Sequence, residues 1–114
     1  MVAVEQSEAS RLGPVFDSCR ANNRAALIGY LPTGYPDVPA SVAAMTALVE
    51  SGCDIIEVGV PYSDPGMDGP TIARATEAAL RGGVRVRDTL AAVEAISIAG
   101  GRAVVMTYWN PVLR

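Results

Sequence analysis

The residues best suited to chemistry lie between positions 55 and 70, in the run IIEVGVPYSDPGMDGP. Side chains alternate between the two faces of a β-strand, so Glu57 would point away from the face shared by Ile56 and Val58. If helices cover both faces of a parallel sheet, Glu57 would have no obvious route to water, and burial would disfavour the charged form of this carboxyl group. A carboxyl group that keeps its proton near neutral pH can act as a general acid. The pattern therefore favours an acid/base role for Glu57.

The distribution of charge along the chain supports that role. Six acidic residues and no basic residue lie between Arg24 and Arg74, so no arginine near Glu57 in the sequence could neutralise it. An ion pair with a buried arginine from elsewhere in the chain is the structural alternative.

The loop that follows this predicted strand adds Ser63, Asp64 and Asp68. Loops at the carboxyl ends of parallel strands usually carry the functional site of an α/β protein. The alternative is that Ser63 and Asp64 only form a turn and that Asp68 caps the next helix. A calcium-binding loop that starts at Asp64 is excluded, because its twelfth position is Ala75 and not the required glutamate.

The composition limits the chemistry further. All nine basic residues are arginine, and the 114-residue chain has neither lysine nor histidine. Within these residues there is therefore no Schiff-base lysine, no imidazole acid or base, and no histidine for a zinc site. The net charge of −3 predicts no nucleic acid or anionic membrane as partner. We expect no metal site.

Other features predict a cytoplasmic protein. Cys19 and Cys53 are far apart in the sequence and belong to no CxxC motif, which is typical of reduced structural thiols. The first residues have neither the basic region nor the apolar region of a signal peptide. No apolar run approaches the roughly 18 residues that a membrane span needs.

Hydrophobic spacing predicts an α/β domain with no internal boundary. We expect Asp37 to cap the second helix. Helical spacing predicts an apolar stripe of Val42, Met45, Leu48 and Val49 on that helix, and one of Leu90, Val93 and Ile96 on the last helix. The alternation of apolar strands and amphipathic helices indicates a parallel sheet with both faces covered. In chain order, we predict a helix at 11–22, a strand at 25–31, a helix at 38–51, a strand at 55–60, helices at 71–81 and 86–99, and a strand at 103–107.

The motif from Glu57 to Ile72, E-x-G-x-P-Y-S-D-P-x-x-D-G-P-x-I, resembles the signature of the tryptophan synthase alpha subunit family. Residues 31–36 and 106–111 resemble the family's segments that follow its first strand and end its third. The resemblance covers roughly residues 12–114. It implies the N-terminal portion of a TIM (β/α)8 barrel, with strands one to three and an extra helix at 11–22 that closes the bottom of the barrel.

The resemblance implies a lyase of tryptophan biosynthesis that cleaves indole-3-glycerol phosphate to indole and glyceraldehyde 3-phosphate. Glu57 would be the catalytic acid/base, which protonates the indole at C3 and assists deprotonation of a glycerol hydroxyl. Asp68 would accept a hydrogen bond from the indole N–H and stabilise positive charge on the ring. Tyr108 would line the indole pocket.

The resemblance also implies a partner. The family works in an alpha2beta2 complex with a beta subunit that holds pyridoxal phosphate, and this chain itself would need no cofactor. Asp64, Pro65 and Asn110 would belong to the surface that meets the beta subunit.

The length of the chain conflicts with a complete barrel, which needs about 250 residues. We expect an N-terminal part of an alpha subunit that is essentially inactive alone, because the family's phosphate-binding loops follow later strands. Two other functions stay open. One is a different phosphosugar lyase or isomerase on the same fold, and the other is a non-catalytic module that binds and activates a beta-type partner.

Overall fold

The computed structural model of the chain describes residues 11–63 and 68–108, which form three strands and four helices. The order matches the order predicted from hydrophobic spacing, and most boundaries agree within two residues. The exception is the first strand, which begins at Ile28 instead of residue 25. The elements are α1 (Gly13–Ala21), β1 (Ile28–Pro32), α2 (Val38–Glu50), β2 (Ile55–Gly59), α3 (Pro70–Arg81), α4 (Val86–Ile98) and β3 (Ala103–Met106).

The three strands form one parallel sheet in the order β1-β2-β3. Tyr30 pairs with Glu57, and Glu57 in turn pairs with Val104. Paired residues of adjacent strands point to the same side of a sheet. The register therefore places these three side chains on one face, and the opposite face carries Ile56 and Val58.

The hydrophobic core lies between the Ile56/Val58 face and the helices. These two side chains are fully buried and belong to one cluster with Met45 of α2 and with Ala92 and Ile96 of α4. The predicted apolar stripe of α2 is thereby confirmed, since its remaining members pack against this cluster: Val42, Leu48 and Val49.

The prediction for α4 is wrong at one position. Leu90 is 62% exposed, whereas Thr89, Ala92 and Ile96 are buried. Residues three and four apart share a helix face, so the buried stripe runs through 89, 92 and 96 and turns Leu90 outward. Because Thr89 is polar, the spacing of apolar residues alone did not identify it as part of the buried face.

Hydrogen bonds fix the turn after β1 beside the carboxyl ends of the strands. The Thr33 N–H donates to the Gly59 carbonyl at 2.9 Å, and the Gly34 N–H donates to Ser41 Oγ at 2.9 Å. The Thr89 hydroxyl donates to Thr33 Oγ1 at 3.2 Å inside the protein. At the start of α2, the Ala40 N–H donates to Asp37 Oδ1 at 2.8 Å, which confirms the predicted cap.

Helix α1 lies at the amino-terminal end of the sheet. Pro14 and Ser18 of α1 border an open cavity of about 450 Å³ together with the segments that precede β2 and β3. At this end of the sheet, Arg24 forms an ion pair with Asp54. Arg24 Nη2 donates to Asp54 Oδ1 at 2.9 Å, and Nη1 donates to Oδ2 at 3.0 Å. The Leu27 N–H also donates to Asp54 Oδ2 at 2.7 Å. The arginine that borders the acidic stretch therefore pairs with Asp54.

Replacing Asp54 with asparagine is expected to destabilise the fold near neutral pH. The hydrogen bonds from Arg24 and then from the Leu27 backbone lower the pKa of Asp54 from 3.8 to about 2. A carboxyl group with a lowered folded-state pKa stabilises the fold above its unfolded-state pKa. This stabilisation is complete above that value and is lost as the pH falls from 3.8 towards about 2.

The measurement is the thermal midpoint of a full-length alpha chain that contains this segment, at about pH 6 and about pH 3. The decrease in thermal midpoint that Asp54→Asn causes should be smaller at the lower pH. The control is Asp17→Asn, because the Asp17–Arg20 pair is 76% exposed on both sides and should contribute little. Equal deficits of Asp54→Asn at both pH values would contradict the assignment.

Candidate functional site

Glu57 lies at the centre of β2 and is only partly buried, between neighbours that are fully buried. The expectation that it has no route to water is therefore wrong. The hydrophobic cluster of α2 and α4 covers the Ile56/Val58 face, and Glu57 points to the other face. In the part of the chain that the structure describes, the ion pairs are Asp17–Arg20, Arg24–Asp54 and Glu77–Arg81, and none involves Glu57.

Tyr30 stands beside Glu57 on the same face of the sheet, and sequence reasoning missed it. Its ring lies over Gly59, where a Cβ atom would be only 2.5 Å from the Tyr30 hydroxyl and 3.0 Å from Cζ. Glycine at position 59 thus leaves the space that the ring occupies. The strand alternation was visible in the sequence, but the register that joins Tyr30 to Glu57 was not.

A pocket of about 500 Å³ opens at the carboxyl ends of the strands. It brings together Asp68 and Tyr108, for which the family resemblance implies one indole site, and adds Tyr30 from β1. The wall combines apolar and polar side chains, which suits a flat apolar ring with one or two polar atoms. The other lining residues are Val60, Gly69, Ile72, Thr76, Met106 and Thr107.

The pKa of Tyr30 responds to its burial and to the charges of neighbouring groups. Burial is the largest cause that raises the pKa of Tyr30 above 10.0, and the negative charges of Asp68 and Glu57 follow. Tyr108 contributes in the same direction, and its ring lies 5.5 Å from that of Tyr62 at an angle of 38°. The pocket thus joins groups from β1, the loop before α3 and the end of β3, and Glu57 of β2 stands beside Tyr30 without lining the pocket itself.

Asp68 does not cap α3, so that structural alternative is wrong. The helix begins at Pro70, and Gly69 occupies the N-cap position. Asp68 lies one residue earlier, is exposed, and lines the pocket. The three residues predicted to meet a beta subunit, Asp64, Pro65 and Asn110, lie outside the described residues.

Among residues 11–63 and 68–108, every helix is too short or too polar to span a membrane. Nor do these ranges contain a group of three or more cysteine, aspartate or glutamate side chains arranged to hold a metal ion.

Comparison with known proteins agrees with this geometry. The family model described as "Tryptophan synthase alpha chain" matches residues 16–114. The tryptophan synthase alpha chain of Mycobacterium leprae is 90% identical over 114 residues, which are 100% of this chain and 42% of that protein. The alpha chain of Mycobacterium avium is 86% identical over 113 residues, again 42% of its length. The chain thus spans less than half the length of these curated relatives.

Solved structures show the same fold. A ligand-free crystal structure of tryptophan synthase from M. tuberculosis, a TrpA-G66V mutant, matches with a TM-score of 0.91 and 99% identity, over 93% of this chain and 43% of that chain. The alpha subunit from Legionella pneumophila matches with a TM-score of 0.84 and 33% identity, over 90% of this chain and 40% of that chain.

These matches confirm the predicted architecture, in which three parallel strands and their helices form the N-terminal part of a TIM barrel. The family model covers nearly the whole chain, and the relatives agree with it at high identity. The chain therefore belongs to the tryptophan synthase alpha chain family.

Proposed function

We propose that this chain supplies the two catalytic carboxyl groups of an enzyme that cleaves indole-3-glycerol phosphate to indole and glyceraldehyde 3-phosphate. One observation carries the proposal. Glu57 pairs with Tyr30 across the β1–β2 ladder, and Tyr30 lines one pocket with Asp68 and Tyr108. Two carboxyl groups in different surroundings can divide acid and anchoring roles, and the reaction then needs neither a metal nor a Schiff base in this chain.

Each carboxyl group has a distinct task in the proposed reaction. The protonated Glu57 donates its proton to C3 of the indole ring, and its carboxylate assists removal of the proton from the glycerol hydroxyl. The C–C bond between ring and side chain then breaks, its electron pair stays with the indole, and the hydroxyl carbon becomes the aldehyde. Asp68 accepts a hydrogen bond from the indole N–H and stabilises the positive charge that C3 protonation places on the ring.

The difference in surroundings supports this division of tasks. Glu57 lies within a strand and is partly buried, whereas Asp68 lies in a loop at the pocket mouth and is exposed. The sheet therefore holds Glu57 in a fixed position, whereas Asp68 lies in the pocket where the indole N–H can reach it.

We also propose a beta subunit as the partner in an alpha2beta2 complex in the cytoplasm. Membership of the alpha chain family supports this assignment. Pyridoxal phosphate would belong to the beta subunit, and Asp64, Pro65 and Asn110 of this chain would contribute to the contact. Tyr108 of this chain would line the indole pocket beside Asp68.

The test compares indole release from indole-3-glycerol phosphate by two polypeptides. One is an alpha chain of full family length that contains this segment, and the other is the 114-residue chain. We expect release by the first only, because the phosphate-binding loops of the family follow later strands. No release by the full-length chain would overturn the proposed reaction. Equal turnover by the 114-residue chain would show that the later strands are not needed.

A further inference from the structure

Thr76 is a buried polar side chain that the reaction above does not use. The buried polar side chains among residues 11–63 and 68–108 are Thr33, Ser41, Thr76 and Thr89. Three of them form hydrogen bonds within the protein, because Thr89 donates to Thr33 and Ser41 bonds to two backbone groups. Thr76 is only 4% exposed, and its hydroxyl has no such partner in these ranges.

The Thr76 hydroxyl is reached from the pocket of about 500 Å³ at the carboxyl ends of the strands. In the described part of the chain, every side-chain N or O atom that is fully enclosed has a hydrogen-bonding partner. Because the Thr76 hydroxyl has none, it is not fully enclosed, and the open space beside it is the pocket that Thr76 lines. A hydroxyl in such a place gains a hydrogen bond only from water or from a ligand.

Helix α3 forms one wall of this pocket. Gly69 at its N-cap, Ile72 and Thr76 all line the pocket, and residues three or four positions apart share one helix face. A rise of about 1.5 Å per residue places Thr76 about 10 Å along the helix from Gly69. Asp68 directly precedes Gly69 and lines the same pocket. Its carboxyl group and the Thr76 hydroxyl therefore lie near the two ends of this wall.

We propose that Thr76 is a specificity-determining residue that binds a polar substituent on the six-membered ring of the indole group. The inference rests on the proposed function, which assigns the indole N–H to Asp68. Two hydrogen bonds of roughly 3 Å each, with a bicyclic ring between them, span a distance of about 10 Å. A ring that bonds to Asp68 through its N–H and lies along α3 brings the carbons farthest from its nitrogen to Thr76.

The chemistry of the pocket wall defines the substituent. Unsubstituted indole offers Thr76 only carbon, because the N–H is its single polar group. A hydroxyl group on the far carbons can donate to Thr76 Oγ1 or accept from it, since a threonine hydroxyl does both. Val60, Ile72 and Met106 offer apolar contacts to the ring and no competing side-chain hydrogen bond. The pocket therefore favours a ring such as 5-hydroxyindole.

The test measures the dissociation constants of indole and 5-hydroxyindole by titration calorimetry, with an alpha chain of full family length that contains this segment. Thr76→Val removes the hydroxyl and nearly keeps the shape of the side chain. We expect the ratio of the two constants to shift about 10-fold in favour of indole, as for one lost hydrogen bond. Thr76→Ser keeps a hydroxyl and should retain the ratio of the parent chain.

The matched protein control is Thr71→Val, which makes the same change at an exposed position of α3 and should leave the ratio unchanged. The matched ligand control is 7-hydroxyindole, whose hydroxyl lies beside the ring nitrogen and therefore at the Asp68 end. Its affinity relative to indole should not depend on Thr76.

Three results would overturn the inference. One is an unchanged ratio in Thr76→Val, and another is an equal shift for 5-hydroxyindole and 7-hydroxyindole. The third is a clearly lower thermal midpoint of Thr76→Val, which would show that the hydroxyl has a partner within the protein. We expect a midpoint equal to that of the parent chain or higher, because no hydrogen bond of the fold is lost.

Binding needs no turnover, so the measurements separate this inference from the proposed function. If indole-3-glycerol phosphate is cleaved but Thr76→Val leaves the ratio unchanged, the role of Thr76 fails and the reaction stands. If the ratio shifts as expected but no indole is released from indole-3-glycerol phosphate, the reaction fails and the binding role of Thr76 stands. If indole and 5-hydroxyindole both fail to bind, the pocket is not an indole site, and both proposals fail.

Discussion

Replacing Glu57 with glutamine in a full-length alpha chain should lower kcat for indole release by about 100- to 10,000-fold, the usual contribution of a positioned general acid or base. Glutamine has nearly the same size and can still fill the space beside Tyr30. It has no proton to give to C3 and no carboxylate to take one from the glycerol hydroxyl. The proposed reaction loses both proton transfers, so the effect should be far larger in kcat than in KM.

Partial burial explains why the fold itself should tolerate this change. Glu57 has no ion pair among residues 11–63 and 68–108, so the amide leaves no buried arginine without its partner. The thermal midpoint should therefore change little, and binding to a beta subunit should persist. Retained complex formation with lost indole release would exclude the alternative of a non-catalytic binding module.

The matched control for Glu57→Gln is Glu50→Gln, which makes the same chemical change at the exposed end of α2. It should leave indole release within the error of the assay. The acid/base assignment is contradicted if Glu57→Gln keeps a turnover within a few-fold of the unsubstituted chain. Another reaction on the same barrel would then have to be considered.

The order and type of the elements were predictable from the sequence, because each strand is a short apolar run between turn residues. The cap of α2 was predictable from local sequence as well, because Asp37 directly precedes that helix. The motif from 57 to 70 also placed Asp68 near the pocket, since the carboxyl ends of parallel strands share one edge of the sheet.

What covers each face of the sheet was not predictable. The alternation of side chains shows that Glu57 points to one face of the sheet and that Ile56 and Val58 point to the other. It does not show which face the helices pack against. The assumption of two covered faces led to the wrong expectation that Glu57 has no access to water. The wrong prediction for Leu90 has a similar origin, since a buried threonine, Thr89, belongs to the packed face of α4.

Tyr30 was missed because its role depends on a contact between distant segments. The register of β1 against β2 brings it beside Glu57, and the absence of a side chain at Gly59 admits its ring. A parallel pair has no hairpin turn that would fix its register from local sequence. The glycine in the motif was the available signal, but its neighbour could not be named without the register.

The turn after β1 yields the largest expected effect on stability. Gly34 has a φ of +96°, and a Cβ atom there would lie 2.8 Å from Val84 Cγ2, 2.9 Å from Val84 Cβ and 3.0 Å from Ala79 Cβ. The neighbouring Cβ atoms are bonded directly to the main chain, so rotation of a side chain cannot relieve the overlap. The end of α3 or the turn itself would have to move.

Gly34→Ala should therefore destabilise an alpha chain of full family length by about 2–5 kcal/mol. Of this, about 1–2 kcal/mol comes from the left-handed backbone, and about 1–3 kcal/mol comes from overpacking. Activity should fall as well, because the turn holds Thr33, whose N–H bonds to the carbonyl of Gly59 beneath the Tyr30 ring.

Gly83→Ala is the matched control for this prediction. Gly83 has a φ of +88°, close to that of Gly34, but a Cβ atom at position 83 would meet no atom within 4 Å. This variant should show only the backbone cost of about 1–2 kcal/mol. Urea unfolding of both variants measures the difference, with the slope checked for constancy. If Gly34→Ala is no more destabilising than Gly83→Ala, the turn after β1 can shift freely, and its close packing against Val84 does not hold the edge of the site in place.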